Sequence, residues 1–155
     1  MVLSINSTYQ NVFYDFILDS IRDTLVTEYN YVKINIAPEK KYDDPFSIRL
    51  WGINHSLENY SAGEWTKEYS VDIVLYSKLD DNEQAYKQFY ADQERIFQSL
   101  WNTYKGVVAK TVESVTIHLS TGLVNDIEIL TPEDTEEENL FQANFSLTIL
   151  ANRTD

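Results

Sequence analysis

The chain has 155 residues, a length that suits one domain, and 43% of them are apolar, which supplies a hydrophobic core and argues against global disorder. The absence of cysteine excludes disulfides, thiolate metal sites and thiol nucleophiles. A formal net charge of −13 argues against binding to nucleic-acid phosphates, because such binding needs a positive patch.

The first third of the chain predicts a helix followed by two strands. Ser7 can cap a helix whose apolar stripe runs to about Glu28. Residues 31–37 alternate apolar and polar side chains, and residues 46–54 alternate again after a polar loop. Because a period of two is typical of a strand with one buried face, we assign both segments to strands.

Residues 54–64 follow the second strand and predict a long hairpin loop, because apolar alternation stops and turn residues cluster. The loop carries His55 and Tyr60 and is flanked by Trp51 and Trp65. Tryptophans most often pack in a core, but Trp51 is offset from the apolar side of its strand and Trp65 begins the next strand. If these four side chains are exposed, they are candidate anchors for a partner protein.

The segment from residue 64 to residue 104 has the clearest patterns in the chain. Residues 65–76 alternate throughout and are rich in β-branched and aromatic types, which predicts a long strand. Asp81 or Asn82 can cap the helix that follows, whose apolar side chains recur at three- and four-residue steps as far as Tyr104. A strand with one apolar face next to a helix with one apolar stripe favours a helix packed across a sheet.

The last third of the chain predicts three strands. Residues 113–119 and 124–130 flank the turn signal Ser-Thr-Gly at 120–122 and indicate a hairpin, with residues 107–110 as a short connector before it. Residues 140–151 alternate cleanly and form the last strand.

The segment PEDTEEEN at 132–139 predicts an acidic loop. A run of acids in a loop is usually solvated, and the spacing of a calcium-binding loop is absent. The alternative is a contact with a partner protein. Its carboxylates are the second set of interface candidates: Glu133, Asp134, Glu136, Glu137 and Glu138.

Together these elements predict one α+β domain spanning residues 1–155. We expect a mixed or antiparallel sheet of about five to six strands with two amphipathic helices packed on one face. The predicted order is helix, three strands, helix, three strands. No repeat at a solenoid period is found.

No constellation in the sequence indicates an enzyme. The two histidines, His55 and His118, share no metal-ligand spacing, and His118 is expected on the solvated side of its strand. There is no glycine-rich phosphate loop and no Gly-x-Ser-x-Gly elbow. We therefore predict no catalytic, cofactor-binding or metal-binding residue. No apolar run reaches the roughly 18 residues of a membrane-spanning helix, and the first residues lack the pattern of a secretory signal, so we expect no membrane partner.

Three passages carry a resemblance to a known family: NVFYDFILDS at 11–20, FSIRLWG at 46–52 and VNDIEIL at 124–130. With its size and element order, the whole chain resembles the tail terminator (tail completion) proteins of long-tailed bacteriophages. The resemblance assigns no functional residue, because none of the three passages is a diagnostic motif.

The resemblance implies a structural virion protein at the head-proximal end of the tail, assembled in the host cytoplasm. Such proteins form a ring, commonly a hexamer, that caps the tail tube, stops polymerisation of the tube protein and offers a docking face to the head connector. DNA passes through the channel without specific binding. The acidity of this chain agrees with that picture, because a negative channel does not hold phosphates, although acidity also serves solubility alone.

Other functions remain open at this point. A head–tail connector or a tail tube subunit would share the setting, and an acidic inhibitor that mimics DNA would use the same excess of carboxylates. For the ring, we expect subunit contacts in the 54–64 segment and at the strand edges. We expect contacts with the tube or the connector in the 132–139 segment.

Overall fold

The computed structural model describes residues 10–29, 34–37, 46–79, 82–135 and 139–154, which form a six-stranded sheet with helical segments. The α+β class expected from the sequence is confirmed. Ser7, predicted as a helix cap, and the acidic residues 136–138 lie outside the described residues.

The helical segments are a π-helix (Val12–Leu18), α1 (Asp19–Glu28), α2 (Glu83–Tyr104) and the single turn α3 (Pro132–Thr135). Short polar side chains cap the starts of the π-helix and of α2. Asn11 accepts a hydrogen bond of 3.2 Å on Oδ1 from the Tyr14 N–H, at the start of the π-helix. Asn82, one of the two predicted caps of α2, accepts a hydrogen bond of 2.9 Å from the Ala85 N–H.

The strands are β1 (Ile34–Ile36), β2 (Phe46–Ser61), β3 (Glu64–Lys78), β4 (Val108–Val112), β5 (Val115–Leu130) and β6 (Leu140–Thr154). Their order across the sheet is β1-β2-β3-β6-β5-β4. Strand β1 runs parallel to β2, and the other described pairings are antiparallel. The two longest runs of alternation in the sequence, β3 and β6, are therefore neighbours at the centre.

One face of the sheet and the helices contribute to the same main core. Along β3 the alternate side chains Tyr69, Val71, Ile73 and Leu75 are at most 2% exposed, in agreement with the predicted alternation. The same buried cluster includes Phe16 and Ile21 from the N-terminal helical segments, Phe89 and Ile96 from α2, and Phe145 and Ile149 from β6. We call the opposite side of the sheet the polar face. It has a smaller buried cluster of Val74, Tyr76 and Leu140.

The prediction of a loop at 54–64 is wrong, because strands β2 and β3 extend through this segment. Only Ala62 and Gly63 form the turn between them, and Gly63 has a φ of 79°, which glycine adopts without steric cost. Two register shifts in β2, after Gly52 and after Leu57, interrupt the alternation of side chains. This interruption is why the sequence resembles a loop.

The prediction of a hairpin at 120–122 is also wrong. Strand β5 runs through these residues, and the Ser-Thr-Gly signal coincides with a register shift in its pairing with β6. The actual turn is formed by Glu113 and Ser114, and the predicted connector at 107–110 largely belongs to β4, which pairs with β5. The observed order is helix, β1, β2, β3, α2, β4, β5, α3, β6, so the predicted order lacks α3 and divides the strands after α2 incorrectly.

Candidate functional site

The β2–β3 hairpin extends beyond the buried part of the sheet, and we call residues 52–67 the hairpin arm. Every residue from 52 to 61 is exposed, including the apolar side chains of Ile53 (50%), Leu57 (54%) and Tyr60 (74%). Among the described residues, β1 pairs only with positions 48–50 of β2, so the outer strand of the arm is a sheet edge. An exposed edge with apolar side chains is a surface on which another protein can pack.

An aromatic cluster holds the base of the hairpin arm. His55 and Tyr69 stack with ring centroids 5.3 Å apart and an interplanar angle of 4°, and Phe13 meets both rings edge-on at 5.4 and 4.9 Å. The Phe13 ring also lies against Gly52, where an added Cβ would overlap it. His55, a predicted anchor, is exposed, but its ring already serves to hold the arm against the N-terminal helical segment.

A cavity of about 580 Å³ lies beside the hairpin arm, and we call it the hairpin cavity. It brings the predicted candidates His55 and Trp65 together with Leu57, Lys67 and Arg153. Among the described residues that line this cavity there are two cations and no carboxylate. In a chain with a net charge of −13, this surface favours an acidic partner.

Lys67 is partly desolvated in the hairpin cavity. Its Nζ lies 5.0 Å from the centroid of the Tyr69 ring, a cation–π arrangement. Burial lowers the pKa of Lys67 and raises the pKa of Tyr69 to about 12. A partner carboxylate placed in the cavity would therefore stabilise the charged form of Lys67.

The three remaining aromatic candidates differ in their exposure. Tyr60 pairs with Trp65 at the end of the hairpin arm and is, at 74%, the most exposed of the described large apolar side chains. Trp65 is partly buried and packs against the main core. Trp51 is not brought together with them, because it lies on the polar face and packs against the smaller buried cluster there. Tyr60 is therefore the most accessible of the predicted anchors, whose role as anchors stays a prediction.

A second concave surface lies at the other end of the sheet, where α2 begins and β5 ends, and we call it the aromatic groove. Its volume is about 650 Å³. The lining residues that matter here are Tyr86, Phe89, Tyr90, Ile129, Glu133 and Phe141. Tyr90 and Ile129 are 54% and 42% exposed. Among the described lining residues there is one carboxylate, that of Glu133, and no cation.

The predicted acidic candidates divide into three cases. Glu133 is exposed and borders the aromatic groove. Asp134 is exposed too, but its Oδ2 accepts hydrogen bonds from the N–H and hydroxyl of Thr131 at 2.9 and 3.0 Å, which fixes the start of α3. Glu136, Glu137 and Glu138 lie outside the described residues.

The polar face of the sheet is acidic. The strand register places Glu64, Glu68 and Asp72 of β3 and Asp126 and Glu128 of β5 on this face. The described cations on the same face are the buried Arg49 and the exposed Lys78. His118 is exposed here, which confirms the side of the strand that the alternation predicts.

Within the described ranges, no group of three or more His, Cys, Asp or Glu side chains is arranged to hold a metal ion. Of the described helices, none combines the length and the apolar character needed to cross a membrane. The expectation that the chain has no catalytic or cofactor-binding residue stays a prediction.

Sequence reasoning missed several residues of the two concave surfaces. Lys67 gave a signal, because it is a lysine on the apolar side of the alternating segment 65–76. Leu57 was hidden in an apparent loop. Arg153 and Tyr90 gave no signal, because their place depends on which strands and helices become neighbours.

Two comparisons with known proteins gave no match. No protein-family model matches the chain, and no curated protein matches it. A functional proposal therefore rests on the exposed surfaces, the distribution of charge and the sequence resemblance described above.

Proposed function

We propose that this chain is a structural virion protein that resembles a phage tail terminator. In this proposal several copies, commonly six, form a ring that caps the tail tube, stops its polymerisation and joins the tail to the head connector. The main buried cluster joins one face of the sheet to residues of the helices, and the proposal assigns the opposite, polar face to the channel. The chain is assembled in the host cytoplasm and acts at the head-proximal end of the tail.

The hairpin arm is the observation that carries this proposal. Its apolar side chains are largely exposed in the single chain, Leu57 to 54% and Tyr60 to 74%. Burying apolar surface in a neighbouring subunit contributes roughly 25 cal/mol per Å². The arm therefore favours a function that requires assembly with other subunits over a function that an isolated chain carries out.

The carboxylates of the polar face support a channel for DNA. When several subunits turn this face towards a common axis, phosphates in the channel meet negative potential and are not held. An inhibitor that mimics DNA would also display carboxylates, but it has no use for an exposed apolar arm. The exposed acids of α3, Glu133 and Asp134, remain candidates for contact with the tube or the connector.

The test is the mass of the purified protein, measured by size-exclusion chromatography with light scattering and by negative-stain electron microscopy. We expect rings of about six subunits with a central channel. The double change Leu57→Ala with Tyr60→Ala should shift the population towards the monomer. The matched control is Trp101→Ala, because Trp101 is 45% exposed on α2 and lies outside both concave surfaces.

A tube subunit and an isolated chain each give a different result in the same experiment. Long tubes would identify a tube subunit and contradict a terminator. A monomer that persists at high concentration, with no ring formed on purified tail tubes, would contradict any assembly function. Equal loss of rings in the Trp101→Ala control would show that the arm has no special part.

A further inference from the structure

We infer that copies of this chain associate head to tail, with the hairpin arm of one copy docked in the aromatic groove of the next. The inference rests on the proposed ring and names the two surfaces that would build it. In this arrangement Glu133 contacts a neighbouring subunit instead of the tube or the connector.

The two surfaces lie at opposite ends of the same strands. Strand β3 begins in the hairpin arm at Glu64 and ends at Lys78, next to the residues that border the aromatic groove. At about 3.3 Å per residue, a strand of this length spans roughly 45 Å. An arm therefore reaches the groove of another copy and not its own.

Charge decides which surfaces meet. The hairpin cavity contributes Lys67 and Arg153, and the aromatic groove contributes Glu133. Glu58 and Glu64 of the arm lie outside the hairpin cavity, so a two-fold contact that joined cavity to cavity would bring two Lys67 side chains together, and one that joined groove to groove would bring two Glu133 carboxylates together. The arm-to-groove contact places opposite charges side by side, and the partly desolvated ammonium of Lys67 gains a carboxylate.

The apolar parts of the two surfaces also match. Leu57 and Tyr60 stand out from the hairpin arm, whereas the groove is concave and lined by Tyr86, Phe89 and Phe141. Aromatic side chains that enter a concave aromatic pocket are typical centres of protein interfaces. The two register shifts along the arm also disfavour simple extension of the sheet edge by a second strand, so side chains and not a backbone ladder make the contact.

A contact between two different surfaces has a consequence for assembly. It repeats from copy to copy and closes into a ring when the rotation allows, whereas a contact between identical surfaces stops at a dimer. The docking of arm into groove is thus the type of contact that a ring requires.

Cross-linking tests the pairing directly, because the chain has no native cysteine. Leu57→Cys and Ile129→Cys, each as a single variant, are mixed and treated with a short bis-maleimide. We expect cross-linked dimers in the mixture and none in either variant alone. The control mixture pairs Leu57→Cys with His118→Cys, which is exposed on the polar face, and it should give no cross-link.

A charge exchange supplies the second measurement. Lys67→Glu should weaken assembly by about tenfold, and Lys67→Glu combined with Glu133→Lys should restore it. Lys105→Glu changes the net charge equally on the exposed end of α2 and should leave assembly unchanged. Circular dichroism of each variant separates lost docking from lost folding, and Lys67→Gln replaces Lys67→Glu if that variant does not fold.

The outcomes separate this inference from the proposed function. Rings without the Leu57–Ile129 cross-link, or with a cross-link in Leu57→Cys alone, overturn the docking and leave the ring. The cross-link in open filaments without rings supports the docking and contradicts a terminator. A monomer with neither ring nor cross-link overturns both.

Discussion

The two halves of strand β2 share one partner strand but differ in what surrounds them. In the first half Ile48 and Leu50 are 0% exposed, and even Arg49 is only 5% exposed. In the second half every residue from 52 to 61 is exposed. Both halves pair with β3 throughout, apart from two register shifts in the second half.

The difference shows that strand pairing and burial are separate properties in this chain. The first half contributes to the stability of the chain, because its apolar side chains belong to the same buried cluster as side chains of the helices. The second half remains paired because β3 continues alongside it and because the Phe13 ring lies against its base at Gly52. A part of the sheet that the chain itself leaves exposed is available for contact with a partner protein.

The largest expected loss in the free energy of unfolding follows from a substitution in the core. Phe145→Ala removes a fully buried side chain opposite Ile73, and we expect a loss of about 3–5 kcal/mol in the free energy of unfolding. Tyr60→Ala should stay within about 0.5 kcal/mol of the unchanged chain, as exposed substitutions do. Urea denaturation at concentrations where the protein is monomeric measures both. A loss above about 1 kcal/mol for Tyr60→Ala would place the arm in the cooperative core and break the comparison.

A smaller effect is expected at the junction between the two halves. Gly52→Ala introduces a Cβ that overlaps the Phe13 ring, and we expect a loss of about 1–3 kcal/mol, typical of overpacking. Gly106→Ala is the control, because a Cβ there meets nothing within 4 Å. Thermal unfolding of both variants measures the difference between their stability losses.

A double-mutant cycle identifies the cause of that loss. If the Phe13 ring is the obstacle, Gly52→Ala should cost much less in a Phe13→Ala background, because the space is already open. Equal losses in both backgrounds would mean that backbone conformation, and not the ring, makes glycine necessary at position 52.

The regular parts of the fold could be predicted from the sequence, because burial on one side leaves a period in the residue types. The alternation along β3 and β6 is an example. The Asn82 cap could also be predicted, because short polar side chains are preferred at the start of a helix. The β2 strand of the hairpin arm could not be predicted, because every residue from 52 to 61 is exposed and two register shifts interrupt the alternation. The turn before β5 could not be predicted either, because Glu113 and Ser114 adopt φ values of 50° and 69° without a glycine to signal them.

The candidate site was predicted only as single residues. Tyr60 and Trp65 stood out as aromatics near a turn, whereas Lys67, a charge among apolar neighbours, was not predicted as part of the site. The hairpin cavity itself needs Phe13, His55 and Arg153 to meet, and that meeting depends on the pairing of β6 with β3 and on the position of the N-terminal helical segment. Such long-range neighbours leave no local pattern in the residues.

The smallest expected effect concerns Asp72, which pairs with Trp51 where the buried half of β2 gives way to the hairpin arm. Burial raises the pKa of Asp72, so its charged form is disfavoured in the folded chain. Because the pKa of Asp72 is higher in the folded chain than in the unfolded chain, its carboxylate lowers the free energy of unfolding, and this penalty has its full size at neutral pH. The penalty disappears as the pH falls below its unfolded pKa of about 3.9.

Asp72→Asn should therefore raise the melting temperature at pH 7 by an amount equivalent to less than about 0.5 kcal/mol, because the carboxyl retains contact with solvent. The gain should vanish near pH 3. Asp126→Asn removes the same charge from an exposed position on the same face and should give a smaller gain. Equal gains in both variants would mean that net charge on the polar face opposes folding, and not the burial of Asp72 beside Trp51. The boundary between the two halves of β2 would then carry no electrostatic cost of its own.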